Sequence, residues 1–235
     1  MQLPPLTEGR IIKRYKRFLA DVVLSDGRLV TAHCPNTGSM QGCWEPDAPV
    51  QLSHSDNPKR KLAWTLERVD MGNGWIGVHT GRTNPVIEEA VRRELIPQLG
   101  GYASVRREVV FEPAGFERAR FDLFLSHGTA PDAWVEVKNV TLWLDDVLAF
   151  PDAVTTRGRK HLQLLAEAVR QSYRGVMVYA LNRPEGRCFR PADEIDPGYA
   201  DTLRQVVEQG VEVIALRLSH QNEEMQVSAE VPVVL

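Results

Sequence analysis

From residue 9 to residue 80 the apolar positions come in short runs, each broken by turn residues, and no stretch carries a convincing helical period. Residues 11–24 predict one or two strands, and Ser25-Asp26-Gly27-Arg28 is a hairpin turn signal that returns the chain through residues 29–33. Residues 50–53, 61–69 and 75–79 supply further strands, the last two joined by Met71-Gly72-Asn73-Gly74. About five short strands without a helix predict a small barrel, with an OB-like one the first choice.

The pattern then changes. Asn84 and Pro85 suit the cap and first position of a helix, with Val86, Ala90, Val91 and Leu95 as its apolar face and Pro97 and Gly100-Gly101 beyond its end. Residues 104–111 predict a strand. Residues 119–142 follow as two alternating runs around the turn His127 to Asp132. Strand alternation there puts Phe121, Leu123 and Leu125 on one face and Asp122 on the other; it likewise separates Val135 and Val137 from Glu136 and Lys138. Helices over 156–171 and 199–209, the first with an apolar stripe at Leu162, Leu165, Ala166 and Val169, alternate with strands over 175–181, 211–218 and 231–235. This order predicts a mixed sheet with helices packed on it. The overall class is α/β (α+β mixed), with residues 1–80 as one domain and 81–235 as a second.

Composition narrows the function classes. The 43% apolar and 25% charged content is that of an ordinary globular protein, and no apolar run approaches the roughly 20 residues of a membrane span. The start lacks a signal-peptide core, so a cytoplasmic location is expected. Cys34, Cys43 and Cys188 fit neither a disulfide framework nor short zinc spacings and read as reduced thiols. The net charge of −3 hides an asymmetry: up to Thr80 there are 10 Lys+Arg against 8 Asp+Glu, and beyond it 18 against 23. Any polyanion contact is expected to lean on the first part.

The hairpin carries the candidate chemistry. Asp122 and Glu136 on one patch of an apolar sheet are costly to desolvate unless paired or bound to metal. Two carboxylates with a backbone carbonyl, such as that of Val137, suit magnesium, with manganese as a substitute; Lys138 beside them suits an attacking water or a growing phosphoryl charge. Asp, a spacer and Glu-x-Lys is the pattern of the PD-(D/E)xK nucleases, although a solvated face with a cross-strand ion pair fits the same letters. Glu88 and Glu89 fit either the dipole at the helix start or an approach to this patch. Lys13-Arg14-Tyr15-Lys16-Arg17-Phe18 interleaves cations with aromatics, as single-strand binders do, and Lys59-Arg60-Lys61 adds a second cluster; solvated faces are the alternative. The loop His33-Cys34-Pro35-Asn36-Thr37-Gly38 reads first as a structural turn.

These segments together resemble the sugar fermentation stimulation protein A family: RYKRFLADV from Arg14, HCPNTG from His33, SDNPKRK from Ser55, FDLFL from Phe121, VEVKNVTL from Val135, FPDAVTTRGRKHL from Phe150 and GVEV from Gly210. The resemblance implies an OB-like domain, a nuclease-like domain, sequence-nonspecific DNA binding and a role in regulating sugar metabolism. Carried over by position, it implies a site of Asp122, Glu136 and Lys138 with Glu89 from the helix pair, and Lys160 and His161 facing the DNA backbone. Where the family often has an acidic residue after that segment, this chain has Leu164. Three readings follow: a magnesium-dependent nuclease that binds DNA, a DNA-binding regulator with an inactive nuclease fold, and a binding module with incidental charges.

Overall fold

The structure, a computed structural model, describes residues 1–235. Its N-terminal part consists of β1 (Leu6–Tyr15), β2 (Leu19–Leu24), β3 (Leu29–His33), β4 (Pro49–His54), β5 (Trp64–Asp70) and β6 (Trp75–Gly77). They lie in the order β3-β2-β1-β4-β5-β6, and a further parallel pairing of β3 with β5 closes the first five into the expected OB-like barrel. Alternation explains its core: Ala20, Val22 and Leu24 of β2 point inward and meet Ile11, Val50, Leu52, Leu66 and Val69.

The remainder runs α1 (Thr83–Arg92), β7 (Tyr102–Phe111), β8 (Ala119–Gly128), β9 (Ala133–Val140), β10 (Leu142–Leu144), β11 (Val147–Phe150), α2 (Thr156–Arg170), β12 (Arg174–Leu181), β13 (Phe189–Pro191), α3 (Pro197–Glu208), β14 (Glu212–Gln221) and β15 (Glu224–Glu230). Six of these strands form the mixed sheet β15-β14-β12-β9-β8-β7, with β9, β12 and β14 parallel to one another. One face carries α1, through Val86, Ile87, Ala90 and Val91 against Leu123, Val135 and Val178. The other carries α2 and α3, through Leu162, Leu165, Leu203 and Val206 packed with Trp134, Met177 and Tyr179. Both apolar faces of the sheet are thus covered, as a mixed sheet with helices on both sides requires.

Two expectations need correction. Residues 231–235 do not form a strand: only Val233 bridges Phe189. The edge strand is instead β15, which pairs antiparallel with β14 and buries little beyond Met225. The small sheet β10-β11-β13, too short for a periodic signal, was not anticipated.

The barrel and the mixed sheet meet through polar and apolar contacts. Ser39 donates from its amide and its hydroxyl to Asp152 Oδ2, at 3.1 and 3.0 Å. Gly38 is held so close that a Cβ there would lie 2.7 Å from the same oxygen. Asn36 is buried and its Oδ1 accepts from the Gly38 amide at 2.9 Å, so the loop after β3 serves as a structural turn. At the opposite side Leu3 enters the α1 cluster, its amide donates to the Glu223 carbonyl at 2.8 Å, and Gln2 bridges Glu224.

Candidate functional site

The antiparallel register Leu123↔Val135 sets Asp122 of β8 beside Glu136 of β9. The two carboxylates line one cavity of about 480 Å3 together with Arg118, Arg120 and Arg157. Strict alternation fails at the neighbouring residue: Phe121 packs against Trp134 and His161 on the α2 side, at ring separations of 5.7 and 5.9 Å, while Leu123 and Leu125 join the α1 cluster. Opposite this point Glu108 has φ of 53°, and the β7–β8 ladder skips the pair Glu108 and Asp122. At this irregular point Phe121 turns to the α2 side, away from the face that strand alternation shares among Phe121, Leu123 and Leu125.

Asp122 is held by short-range donors. Its Oδ1 accepts from Asn84 Nδ2 at 2.6 Å and its Oδ2 from the Val137 amide at 2.7 Å. Burial, with the Glu136 charge second, pushes its carboxyl up to about 6 against these donors. Glu136 is 3% exposed. Its Oε1 accepts from Lys138 Nζ and meets His161 Nδ1, whereas its Oε2 is buried with no partner at all. Burial raises this carboxyl too, but His161 and Lys138 outweigh it, and the group ends below the usual carboxylate range. Two neighbouring carboxylates thus sit in environments that drive their protonation apart.

Nowhere do three or more His, Cys, Asp or Glu side chains come together in a metal-holding arrangement. Asp122 and Glu136 are the two carboxylates that line the cavity with its arginines.

The other candidate residues divide. Glu89 is a correction: the Met1 ammonium and Arg93 hold it, each at 3.1 Å, so it does not reach the acid pair. Glu88 pairs with Arg92 and Arg107. The α1 residue that does reach Asp122 is Asn84, which lies inside the first turn rather than at the cap, a position taken by Arg82. His161 is a second correction: at 5% exposure it cannot meet DNA as a surface cation and instead braces Glu136. Lys160 is exposed and paired with Glu117 at 2.7 Å. Leu164 is buried in the α2 core, so its position makes no outer contact.

On the barrel, Arg14 also differs from expectation. Its guanidinium donates to the carbonyls of Arg17, Asn36 and Gly38 at 2.7, 2.9 and 2.9 Å, so it braces the loop. Lys13 pairs with Asp21 at 3.3 Å over the Tyr15 ring. Lys16 and Arg17 stand exposed at a left-handed turn beside Phe18, itself 47% exposed. Lys59 and Lys61 are exposed, and Arg60 donates to Thr65 Oγ1 at 2.6 Å.

Comparison with known proteins matches residues 12–78 to the SfsA N-terminal OB domain and residues 81–224 to the sugar fermentation stimulation protein RE domain. A sugar fermentation stimulation protein homolog of Magnetococcus marinus is 51% identical across 91% of this chain and 90% of its own length. One from Geobacter metallireducens is 49% identical across the whole of both chains. The solved structure of Pyrococcus furiosus SfsA in complex with Ca2+ superposes with a TM-score of 0.87, covering 100% of this chain and 98% of that one at 24% identity.

Proposed function

The chain belongs to the sugar fermentation stimulation protein family, and from that premise we propose that it binds DNA without sequence preference and cleaves phosphodiesters in the groove holding Asp122 and Glu136. The observation that carries this reading is the buried, unpartnered Oε2 of Glu136 beside a second carboxylate. An uncompensated carboxylate oxygen is costly to bury, and a hard divalent ion removes that cost. Magnesium bound there, or manganese in its place, supplies Lewis-acid chemistry and a water of lowered pKa. That the Pyrococcus furiosus relative was solved with Ca2+ agrees with an oxygen-ligand site.

The chain's own residues supply the rest. Asp122 and Glu136 would hold the cation. His161 and Lys138 fix one oxygen of Glu136 and so leave the other toward the groove. Lys138, paired with Glu136, would steady an attacking water or the growing phosphoryl charge. Binding rests on the exposed cations Lys16, Arg17, Lys59, Lys61 and Lys160, with Lys13 and Arg60 more tightly engaged. These contact phosphates, which carry no sequence information.

The test is magnesium- or manganese-dependent cleavage of single-stranded DNA, duplex DNA and RNA. Glu136→Gln should lower cleavage by orders of magnitude with DNA affinity unchanged or higher, since one negative charge has gone. Lys138→Ala should also abolish cleavage but cost some affinity. One observation favours a second reading: with Glu89 diverted to Met1 and Arg93, the acid set is smaller than the family resemblance implies. DNA binding by clean wild-type protein with no turnover on any of these substrates would select that reading, a regulator with an inactive nuclease fold.

A further inference from the structure

The arginines around the acid pair are unlike most others in the chain. Arg10, Arg28, Arg82, Arg92, Arg93, Arg107, Arg170, Arg174, Arg183, Arg187, Arg190 and Arg204 each have a carboxylate within 3.7 Å or less. Arg118 and Arg157 have none. Arg120 reaches only Glu108, at 3.9 Å, and Arg157 makes a single long approach of 3.4 Å to His161 Nε2. These three line the cavity that holds Asp122 and Glu136, and they also line an adjoining cavity of about 630 Å3 that extends along α2. Exposed guanidiniums with no close carboxylate along two joined cavities are donors in search of an anion.

The start of α2 adds to this. Thr156 and Arg157 occupy its first turn and line the second cavity, and the Thr155 hydroxyl caps only the Gly158 amide, at 3.0 Å. First-turn amides have no intrahelical acceptor, and the helix dipole favours negative charge there. The carboxylates nearby are committed elsewhere: Glu117 to Lys160, Asp122 to Asn84 and the Val137 amide, and Glu136 to His161 and Lys138.

We propose that Arg118, Arg120 and Arg157 form a phosphate-binding subsite for a phosphodiester next to the one held at the acid pair, and that phosphate and divalent cation bind there cooperatively. This rests on the reading of the acid pair given above. The coupling follows from charge. The two cavities are lined by the cations Arg118, Arg120, Arg157 and Lys160 and by the carboxylates Glu108, Glu117, Asp122 and Glu136, which balance when all are ionised. A divalent cation tips this balance and draws in the anion; by linkage the anion must draw in the cation by the same factor.

The experiment follows fluorescence anisotropy of a fluorescein-labelled hexathymidylate made with phosphorothioate links, with and without manganese, and manganese binding by calorimetry. Wild-type protein should bind the probe roughly tenfold or more tightly with manganese, within the usual range of coupling between sites. Arg118→Ala/Arg157→Ala should lose roughly a hundredfold of the metal-loaded affinity, about tenfold per charge-assisted contact, while still binding manganese in the absence of probe. Both side chains are exposed, so an unchanged thermal transition is expected alongside. Full probe affinity in the double variant would overturn the subsite and leave the acid-pair reading standing. Probe affinity indifferent to manganese, in a protein whose manganese binding is lost in Glu136→Gln, would overturn the coupling alone and with it the proposal as stated. Wild-type protein that binds no manganese would overturn both readings.

Discussion

Replacing Asp122 by Asn should make the protein more stable near neutral pH. The carboxyl is raised from its usual 3.8 to about 6, first by burial and then by the Glu136 charge, a displacement of about two units. At about 1.36 kcal/mol per unit this amounts to roughly 3 kcal/mol. The sign follows from proton uptake. Between about 4 and 6 the folded protein binds the Asp122 proton and the unfolded chain does not, so this group's favourable contribution is complete below the unfolded pKa and is lost as pH rises through the folded one. Near pH 7 the full penalty of ionising Asp122 in place is present. Asn removes it but accepts the Val137 amide less strongly than a charged oxygen, and the Asn84 amide must turn over to present its own oxygen to the new NH2, a loss of about 1 kcal/mol in all. The net expectation is a gain of about 2 kcal/mol near pH 7 that shrinks toward zero or below near pH 4. Urea unfolding of both proteins across this range measures the difference, in which all other titrations cancel to first order. Saturating magnesium should erase the advantage, because only the wild-type pair gains the cation. A destabilised Asp122→Asn protein near pH 7, or a difference independent of pH, would refute the reasoning.

Two further outcomes concern the barrel. Lys16→Ala/Arg17→Ala should weaken DNA binding without loss of stability, and the loss should shrink as salt rises because fewer counterions are released; unchanged affinity at low salt would move the binding surface elsewhere. Arg14→Ala should instead lower stability by about 2 to 3 kcal/mol in urea unfolding, since three carbonyls lose a charged donor at once; a neutral effect would show that the loop after β3 stands without it.

What was legible in the sequence was what depends on near neighbours. Period-two alternation placed Glu136 and Lys138 together on β9 and Asp122 opposite them, and turn chemistry paired the strands. The same logic misassigned Phe121, because the β7–β8 ladder is interrupted where Glu108 on the other strand takes a positive φ, and no pattern within β8 records that. The resemblance implies that His161 faces the DNA backbone with Lys160, yet its burial follows from how α2 packs on β9, which no local pattern records. Asn84 read as a cap because it precedes Pro85, yet the helix begins two residues earlier, at Thr83, and frees the amide for Asp122. Glu89 was lost to Met1, a neighbour in space but far away along the chain.

That neighbourhood has a consequence for how the chain folds. Leu3 is a piece of the α1 core although it lies ahead of the barrel, and its amide completes its bond only on Glu223, in the turn between β14 and β15. Residues synthesised first therefore reach their places only after almost everything else has emerged. The barrel and the mixed sheet should not melt as separate units: unfolding should proceed in a single transition, and a chain severed between them near His79 should yield halves that regain order only when mixed.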